Sequence, residues 1–515
     1  MFDACRHLDY PNPQSHKLPM NLLFIFTDEQ RADTLAPWGN DKIQAPNLNR
    51  LCREGVTFRR AYVTQAICTP SRSSIMTGLY PHTNGCVRNN VPLRVDTPTL
   101  VELADFSDYA TAYHGKWHLG DEVFPQHGFD EWIGTEEFYR PWYRNGRDMN
   151  TASSYHRWLC SMGYDPPHTN PDGFRLFPRG WTAALPEEHC KPAFQAEAAS
   201  RFIRENRERP FALYVNFLEP HMPFTGPRDG QYDPDTVDLP ENFEMLPGDG
   251  QPLKARIHRY QRHFAGQVGT NEPTERQWRE LIARYWGLVS QVDAAVGRIL
   301  GTLHDCGLDD ETIVVFTSDH GDMMGSHGMV TKAFQFEEAV RVPLTLRIPG
   351  CPRNGETIEA PVSQVDLVPT LLELLGKDAP EELEGYSWAP MLMEGGQLAE
   401  RDVFIEWTPA HEPTDGTVED QIDRAARFVD LDRLGSRDAI AASLNDPVRT
   451  VITPDGFKLN YSTVGESELY DLNADPLETT NLVDRPEHRE RIETMADKVR
   501  RWQERTGDGV ALPAL

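Results

Sequence analysis

Long apolar runs are missing from this 515-residue chain. The longest near its start, Asn21-Leu-Leu-Phe-Ile-Phe26, falls far short of the ~20 residues a membrane-spanning helix requires, so no membrane partner is expected. Basic charge is scarce too. Against 79 Asp and Glu stand 51 Lys and Arg, a formal net charge of −28, which argues against nucleic acid or anionic lipid as partners. An anionic substrate must therefore meet a local cluster of cations. Cysteine pairs are also absent: the eight cysteines, at 5, 52, 68, 86, 160, 190, 306 and 351, contain no C-x-x-C unit. That fits reduced thiols and excludes a disulfide framework. Finally, the first 19 residues lack the basic start and apolar stretch of a secretory signal, so a cytoplasmic protein is expected, with residues 1–20 a disordered leader.

What is present is a globular composition, 39% hydrophobic and 25% charged, in a chain long enough for one large domain and a smaller one. Four apolar runs read as buried strands: LLFIF (22–26), TAYHG (111–115), FALYVNF (211–217) and TIVVF (312–316). Helical segments separate them. One is expected to start at a cap formed by Thr97 and Pro98; others cover QAEAASRFIRENRER, the long stretch ending near Gly307, and Pro70 to Tyr80. Alternation of this kind predicts an α/β fold with a largely parallel sheet over residues 21–395. VFIEW, RTVITPDGFKLNYS, ELYDL and a charged helix around 486–505 predict a smaller antiparallel sheet with a helix over 396–515. Two polar stretches, about 226–275 and 408–447, resist assignment.

Each of the four strands delivers polar groups at its carboxyl end: Asp28-Glu29, Lys116-Trp-His118, His221 and Asp319-His320. Open α/β sheets place ligands at that edge, so four such deliveries point to one site. Any of these residues alone would more often be solvated surface. Cys68 opens a further question. A lone cysteine is usually a small buried residue and, failing that, a thiolate nucleophile. Neither reading explains the Pro70 and Arg72 beside it, at the start of a helix whose N–H groups favour an anion.

Cys68-Thr-Pro-Ser-Arg72 followed by Ser73-x-x-x-Thr77-Gly78 resembles the sulfatase family of the alkaline phosphatase superfamily. The resemblance runs from about residue 21 to 484. It includes YATAYHGKWHLG, where Asp108 stands at a position more commonly glycine, and S-D-H-G-D at 318–322, with PHMPF and ELYDLNADPLETTNL in the family's order. It implies an alkaline-phosphatase-like fold with a catalytic domain over 21–395. It also implies a formylglycine made from Cys68 by a maturation enzyme, whose geminal diol attacks sulfur and then expels sulfate through a covalent sulfo-enzyme intermediate. Asp28, Glu29, Asp319 and His320, with the modified Cys68, would hold one divalent cation. Ca²⁺ suits this oxygen-rich set, and the departures at Glu29 and His320 leave Mg²⁺ and Mn²⁺ open. Arg72, Lys116, Lys332 and Asn89 would bind the sulfate, while His118 and His221 would handle protons.

The implied substrate is a small-molecule or short-saccharide sulfate monoester, and a homo-oligomer is compatible with the sequence. Phosphonate monoester or phosphodiester hydrolysis is the rival inside the superfamily, where the Lys116-x-His118 unit is generally lacking. A thiol enzyme leaves the carboxylates unexplained, and a binding protein without turnover should have lost a ligand. His327 reads equally as a supporting ligand or a loop residue, and His82 as a turn residue. Aromatic residues between Phe138 and Trp158 either stack a ring of the substrate or pack a loop, the second being the default.

Overall fold

Asn21–Asp28 (β1) is apolar on both faces because both are covered. Leu22, Phe24 and Phe26 enter one core cluster and Leu23 and Ile25 another, as expected of a parallel strand between two helical layers. The other strands of its sheet are Val56–Phe58 (β2), Ala110–Gly115 (β3), Glu131–Gly134 (β4), Phe211–Pro220 (β5), Thr312–Ser318 (β6), Leu344–Arg347 (β7) and Thr357–Ile358 (β8). Their spatial order is β8-β2-β7-β6-β1-β5-β3-β4. The four strands legible in the sequence, β6, β1, β5 and β3, are contiguous and mutually parallel, so their carboxyl ends share one edge. Antiparallel β7 interrupts the parallel run between β6 and β2.

This computed structural model describes residues 19–248, 250–258, 273–396, 400–409, 417–426 and 431–514. The expected leader, except its last two residues, and parts of both polar stretches lie outside them. Cys68–Thr77 (α1) and Leu367–Leu374 (α4) pack on the β1 face that carries Phe24, and Lys191–Glu205 (α2) and Glu275–Asp305 (α3) on the face that carries Ile25. Beside the main sheet, Ala61–Tyr62 is held between Arg341–Val342 and Val362–Ser363 in a three-stranded ribbon. Among the described residues no helix is long and apolar enough to cross a membrane.

Two helix starts differ from expectation. The helix expected from Thr97 and Pro98 is capped by Thr99, whose N–H donates to Glu102 Oε2 (2.9 Å). A carboxylate three residues on closes that capping box, and Thr97 has Leu100 in its place. The helix expected from Pro70 begins at Cys68. Proline is tolerated in a first turn, where an N–H has no intrahelical acceptor anyway.

The C-terminal region is a four-stranded antiparallel sheet, Val403–Trp407 (β9), Val448–Ile452 (β10), Phe457–Tyr461 (β11) and Glu468–Asp471 (β12). Arg489–Thr506 (α5) buries Ile492, Met495 and Val499 against Val451, Leu459 and Leu469. At the seam with the main domain, Trp502 of α5 packs with Tyr80 and Val365. His82 places Nδ1 2.6 Å from Glu406 Oε1 and Nε2 3.2 Å from the Thr506 carbonyl, so it ties the two regions together and does more than support a turn.

Candidate active site

The shared carboxyl edge of β6, β1, β5 and β3 brings the predicted residues together around Cys68 at the start of α1. Cys68 Sγ lies 3.3 Å from His320 Nε2 and 3.8 Å from Asp28 Oδ1. Arg72, one turn into α1, is fixed between the strand ends: Nη2 donates to Asp28 Oδ2 (2.8 Å) and Nε to Asp319 Oδ2 (2.8 Å). Its Nη1 reaches Asn216 Oδ1 and the Lys116 carbonyl, both at 2.7 Å. Lys116 Nζ pairs with Asp28 Oδ2. Lys332 pairs with Glu29 Oε2 at 2.8 Å, and His221 Nε2 lies 3.3 Å from the same oxygen. Asp28, Glu29, Lys116, Asp319 and His320 are wholly buried.

Acceptor atoms converge here: Asp319 Oδ1 accepts from the Glu29 N–H (3.1 Å), and Asp28 Oδ1 meets the Cys68 thiol. His320 Nδ1 is 2.9 Å from the Gly321 carbonyl, which makes it the protonated nitrogen and turns the Nε2 lone pair toward Asp319 Oδ1 (3.5 Å) and Asp28 Oδ1 (3.7 Å). Glu29 Oε1 is buried without a hydrogen-bond partner. Ligand atoms of Asp28, Cys68, Asp319 and His320 all lie within 4.8 Å of one another, and Glu29 adjoins Asp28 in a second such group. This donor set fits a hard divalent cation.

Electrostatics follow the same division. Burial alone would raise Asp28, but Lys116, His221 and Arg72 outweigh it and hold the carboxyl well below its usual range. At Glu29 burial wins over Lys332, with Asp322 adding repulsion, and the carboxyl is pushed up to about 8. Burial and Asp28 push the Cys68 thiol up to about 12, so the unmodified side chain is no ready nucleophile. Burial, then Lys116 and Arg72, hold His118 well below its ordinary value; burial and Lys332 do the same to His221.

His118 is aimed by its surroundings. Its backbone has φ 58°, a region costly for any residue but glycine. Both oxygens of buried Glu122 stabilise that turn, accepting from the Trp117 N–H (2.7 Å) and the His118 N–H (2.6 Å). The ring stacks on Tyr139 with centroids 3.8 Å apart, and Nε2 pairs with Asn90 Oδ1 (2.8 Å). Nδ1 is buried with no partner. Glu29 has φ 69°, and Thr331 and Ala333, flanking Lys332, have φ 68° and 85°. Strained residues of this kind persist where surrounding contacts over-determine them, commonly at functional sites.

Asn89 sits at the rim of the site, where Oδ1 accepts from the Thr69 N–H (3.0 Å) and caps α1. His327 does not join either cluster of ligand atoms among the described residues. It stacks on Phe336 at 4.4 Å and places Nδ1 2.8 Å from the Met245 carbonyl. Sequence reasoning missed Asn216, Glu122, Asn90 and Tyr139. Of these Asn216 carried a signal, as the one amide inside an apolar strand; Nδ2 donates to the Phe26 carbonyl (3.0 Å) while Oδ1 holds Arg72.

Known proteins resemble this chain over most of their length. The family model described as Sulfatase matches residues 20–377. A multifunctional alkaline phosphatase superfamily protein, PehA of Trinickia caryophylli, is 28% identical across 94% of this chain and 95% of its own. An N-acetylglucosamine-6-O-sulfatase of Bacteroides thetaiotaomicron is 26% identical across 93% of this chain and 85% of its own. Among solved structures, the phosphonate monoester hydrolase SpPMH of Silicibacter pomeroyi superposes with a TM-score of 0.75 at 26% identity, covering 95% of this chain and 96% of that one. With the family model spanning well over half the sequence, this chain belongs to the sulfatase family of sulfuric ester hydrolases.

Proposed function

We propose that the protein hydrolyses a sulfate monoester with S–O cleavage, using a formylglycine made from Cys68 and one divalent cation. The observation that most supports this is the convergence of Asp28, Arg72, Lys116, Asp319 and His320 on Cys68 at a helix start. Asp28, Glu29, Asp319 and His320, with residue 68, would hold the cation. Ca²⁺ is the best match, with Mg²⁺ and Mn²⁺ as alternatives, and its part is to polarise a sulfate oxygen and acidify the attacking hydroxyl. Formylglycine supplies the geminal diol that a thiol lacks, one hydroxyl to attack sulfur and one to release sulfate.

The chain's own side chains do the rest. Arg72, Lys116 and Lys332 present fixed positive charge to the sulfate oxygens inside a water-poor pocket, and Asn89 orients the start of α1. His118, held as the Nε2–H form by Asn90, offers its free Nδ1 lone pair as the base. His221 has Nδ1 2.7 Å from the Met222 carbonyl, so Nδ1 carries the proton and the Nε2 lone pair faces the site, 3.3 Å from Glu29 Oε2. A proton taken up at Nε2 beside Glu29 is then readily given to the leaving oxygen, because burial and Lys332 hold the ring's pKa well below its ordinary value.

Likeness to SpPMH and PehA supports a second reading, hydrolysis of phosphonate monoesters or phosphodiesters at the same site. Lys116 and His118 favour the sulfate reading, since a fixed cation and a base beside the nucleophile serve a dianionic product.

One experiment separates these. Protein from its native host is assayed for sulfate release from 4-nitrophenyl sulfate and for cleavage of a phenyl phosphonate monoester, before and after chelation, and the tryptic peptide Ala61–Arg72 is weighed. Formylglycine at position 68, with sulfate the better substrate and activity lost on chelation, is expected. Activity with cysteine alone at 68 overturns the mechanism; a large preference for phosphonate overturns the substrate.

A further inference from the structure

We infer that Phe138, with Trp142 beside it, is a ledge for a ring in the leaving group, so that the substrate is a sulfate ester of a cyclic alcohol, aryl or saccharide. This rests on the hydrolase reading above and narrows its substrate class.

Phe138 is 59% exposed, yet its neighbours on both sides are tied down. Glu136 is buried and paired with Lys191 of α2 and with Arg179 (2.7 Å). Glu137 accepts from the Ser153 N–H (2.9 Å) and meets His156 Nδ1 at 3.0 Å. On the other side Tyr139 is buried against His118, and Arg140 lies 3.6 Å over the Phe174 ring while donating to the Thr151 carbonyl (3.1 Å). The backbone is thus pinned at four residues around one outward phenyl ring. An apolar ring kept in water forgoes the stabilisation its burial would bring. A ligand that covers it recovers this.

The ledge is continuous with the reacting centre. Lys116 Nζ stands 5.5 Å from the Tyr139 ring centroid, and the Tyr139 and Phe138 centroids are 5.5 Å apart, edge to face. Trp142 lies 6.4 Å beyond Phe138, tilted 35° to it. Arg179 fixes the outer rim, donating to Tyr139 Oη (3.0 Å) with its guanidinium 5.4 Å from the Phe138 centroid. Phe138 is thus one ring contact from the Tyr139 that stacks on His118, within the span of a ring carried by a leaving oxygen at that histidine. A flat ring or the apolar face of a sugar stacks there, whereas an acyclic chain offers no face to stack.

The test compares kcat/KM for 4-nitrophenyl sulfate, a hexosamine 6-sulfate and an acyclic alkyl sulfate in wild type, Phe138→Ala and Phe138→Trp. The ratio of ring to acyclic substrate should fall roughly tenfold in Phe138→Ala, mainly through KM, and recover in Phe138→Trp. Whichever ring substrate suffers more identifies which ring the ledge fits. An unchanged ratio in Phe138→Ala, or a wild type that prefers the acyclic sulfate, overturns the ledge while leaving the hydrolase reading intact. Should the wild type cleave phosphonate esters and no sulfates, the sulfate reading fails instead. The same ratio, measured on phenyl and methyl esters of one phosphonate, then decides the ledge.

Discussion

Buried charge serves two ends in this molecule, and the active site and the C-terminal seam show the difference. Beside the seam, within the C-terminal region, Arg449 meets Asp508 in a bidentate pair, Nε to Oδ2 and Nη2 to Oδ1, each 2.8 Å, with Nη1 on the Trp407 carbonyl. Each charge of that pair has its complement. In the active site Glu29 Oε1 and His118 Nδ1 have no partner, and carboxylate oxygens face an imidazole lone pair. Both places are equally shut off from water. Unpartnered buried atoms occur at the seam too, at Glu406 Oε2 and Trp502 Nε1, so what marks the site is the convergence of carboxylates and an imidazole lone pair on strained backbone.

Cys68→Ala should break the comparison most sharply, removing all turnover while thermal unfolding stays within a few degrees of wild type, as followed by circular dichroism. Its companion Cys68→Ser should instead accumulate a sulfated enzyme, seen by intact mass, since one hydroxyl cannot both attack and expel. Next, Lys116→Ala should lower kcat by roughly 10²–10³-fold, the size expected on losing a preorganised charge at the transition state. A change confined to KM would show that Lys116 only binds substrate.

The C-terminal pair should answer in the opposite currency. Asp508→Asn should cost about 3 kcal/mol in chemical denaturation, because it strands a buried guanidinium, while kcat of the folded enzyme stays unchanged. Glu122→Gln is intermediate in kind. Replacing one oxygen that accepts from the His118 turn should reduce kcat roughly tenfold with little change in KM.

Smallest is a pH effect at His82. Burial would lower its pKa, but Glu406 outweighs that and raises it. A raised folded-state pKa gives stability that is fully present below the unfolded value of about 6.5 and is lost as pH rises through the folded value. The melting temperature should therefore fall across that window in wild type and less so in His82→Gln. An identical slope in both would show that His82 carries no charge at the seam.

The sequence announced the parts of this fold that are long, apolar and local. β1, β3, β5 and β6 are continuous buried runs, and the residues just beyond them fell into one site because parallel neighbours end at one edge. β2, β4, β7 and β8 have two to four residues each and exist through pairing with distant segments, so no periodicity betrays them. Glu122 and Tyr139 escaped for a related reason. A carboxylate in a loop and an aromatic in a loop are common, and only the folded path of the chain brings them to His118.

Burial of Cys68 also has a consequence in time. The ribbon strand Ala61–Tyr62 that leads to it is closed by Arg341–Val342 and Val362–Ser363, segments far downstream. At roughly 5–20 residues per second of synthesis, the approach to this cysteine stays open for tens of seconds and then shuts. Under the proposed mechanism an enzyme that modifies this side chain would work against that clock, and the active fraction of a preparation would be set by a race between modification and folding.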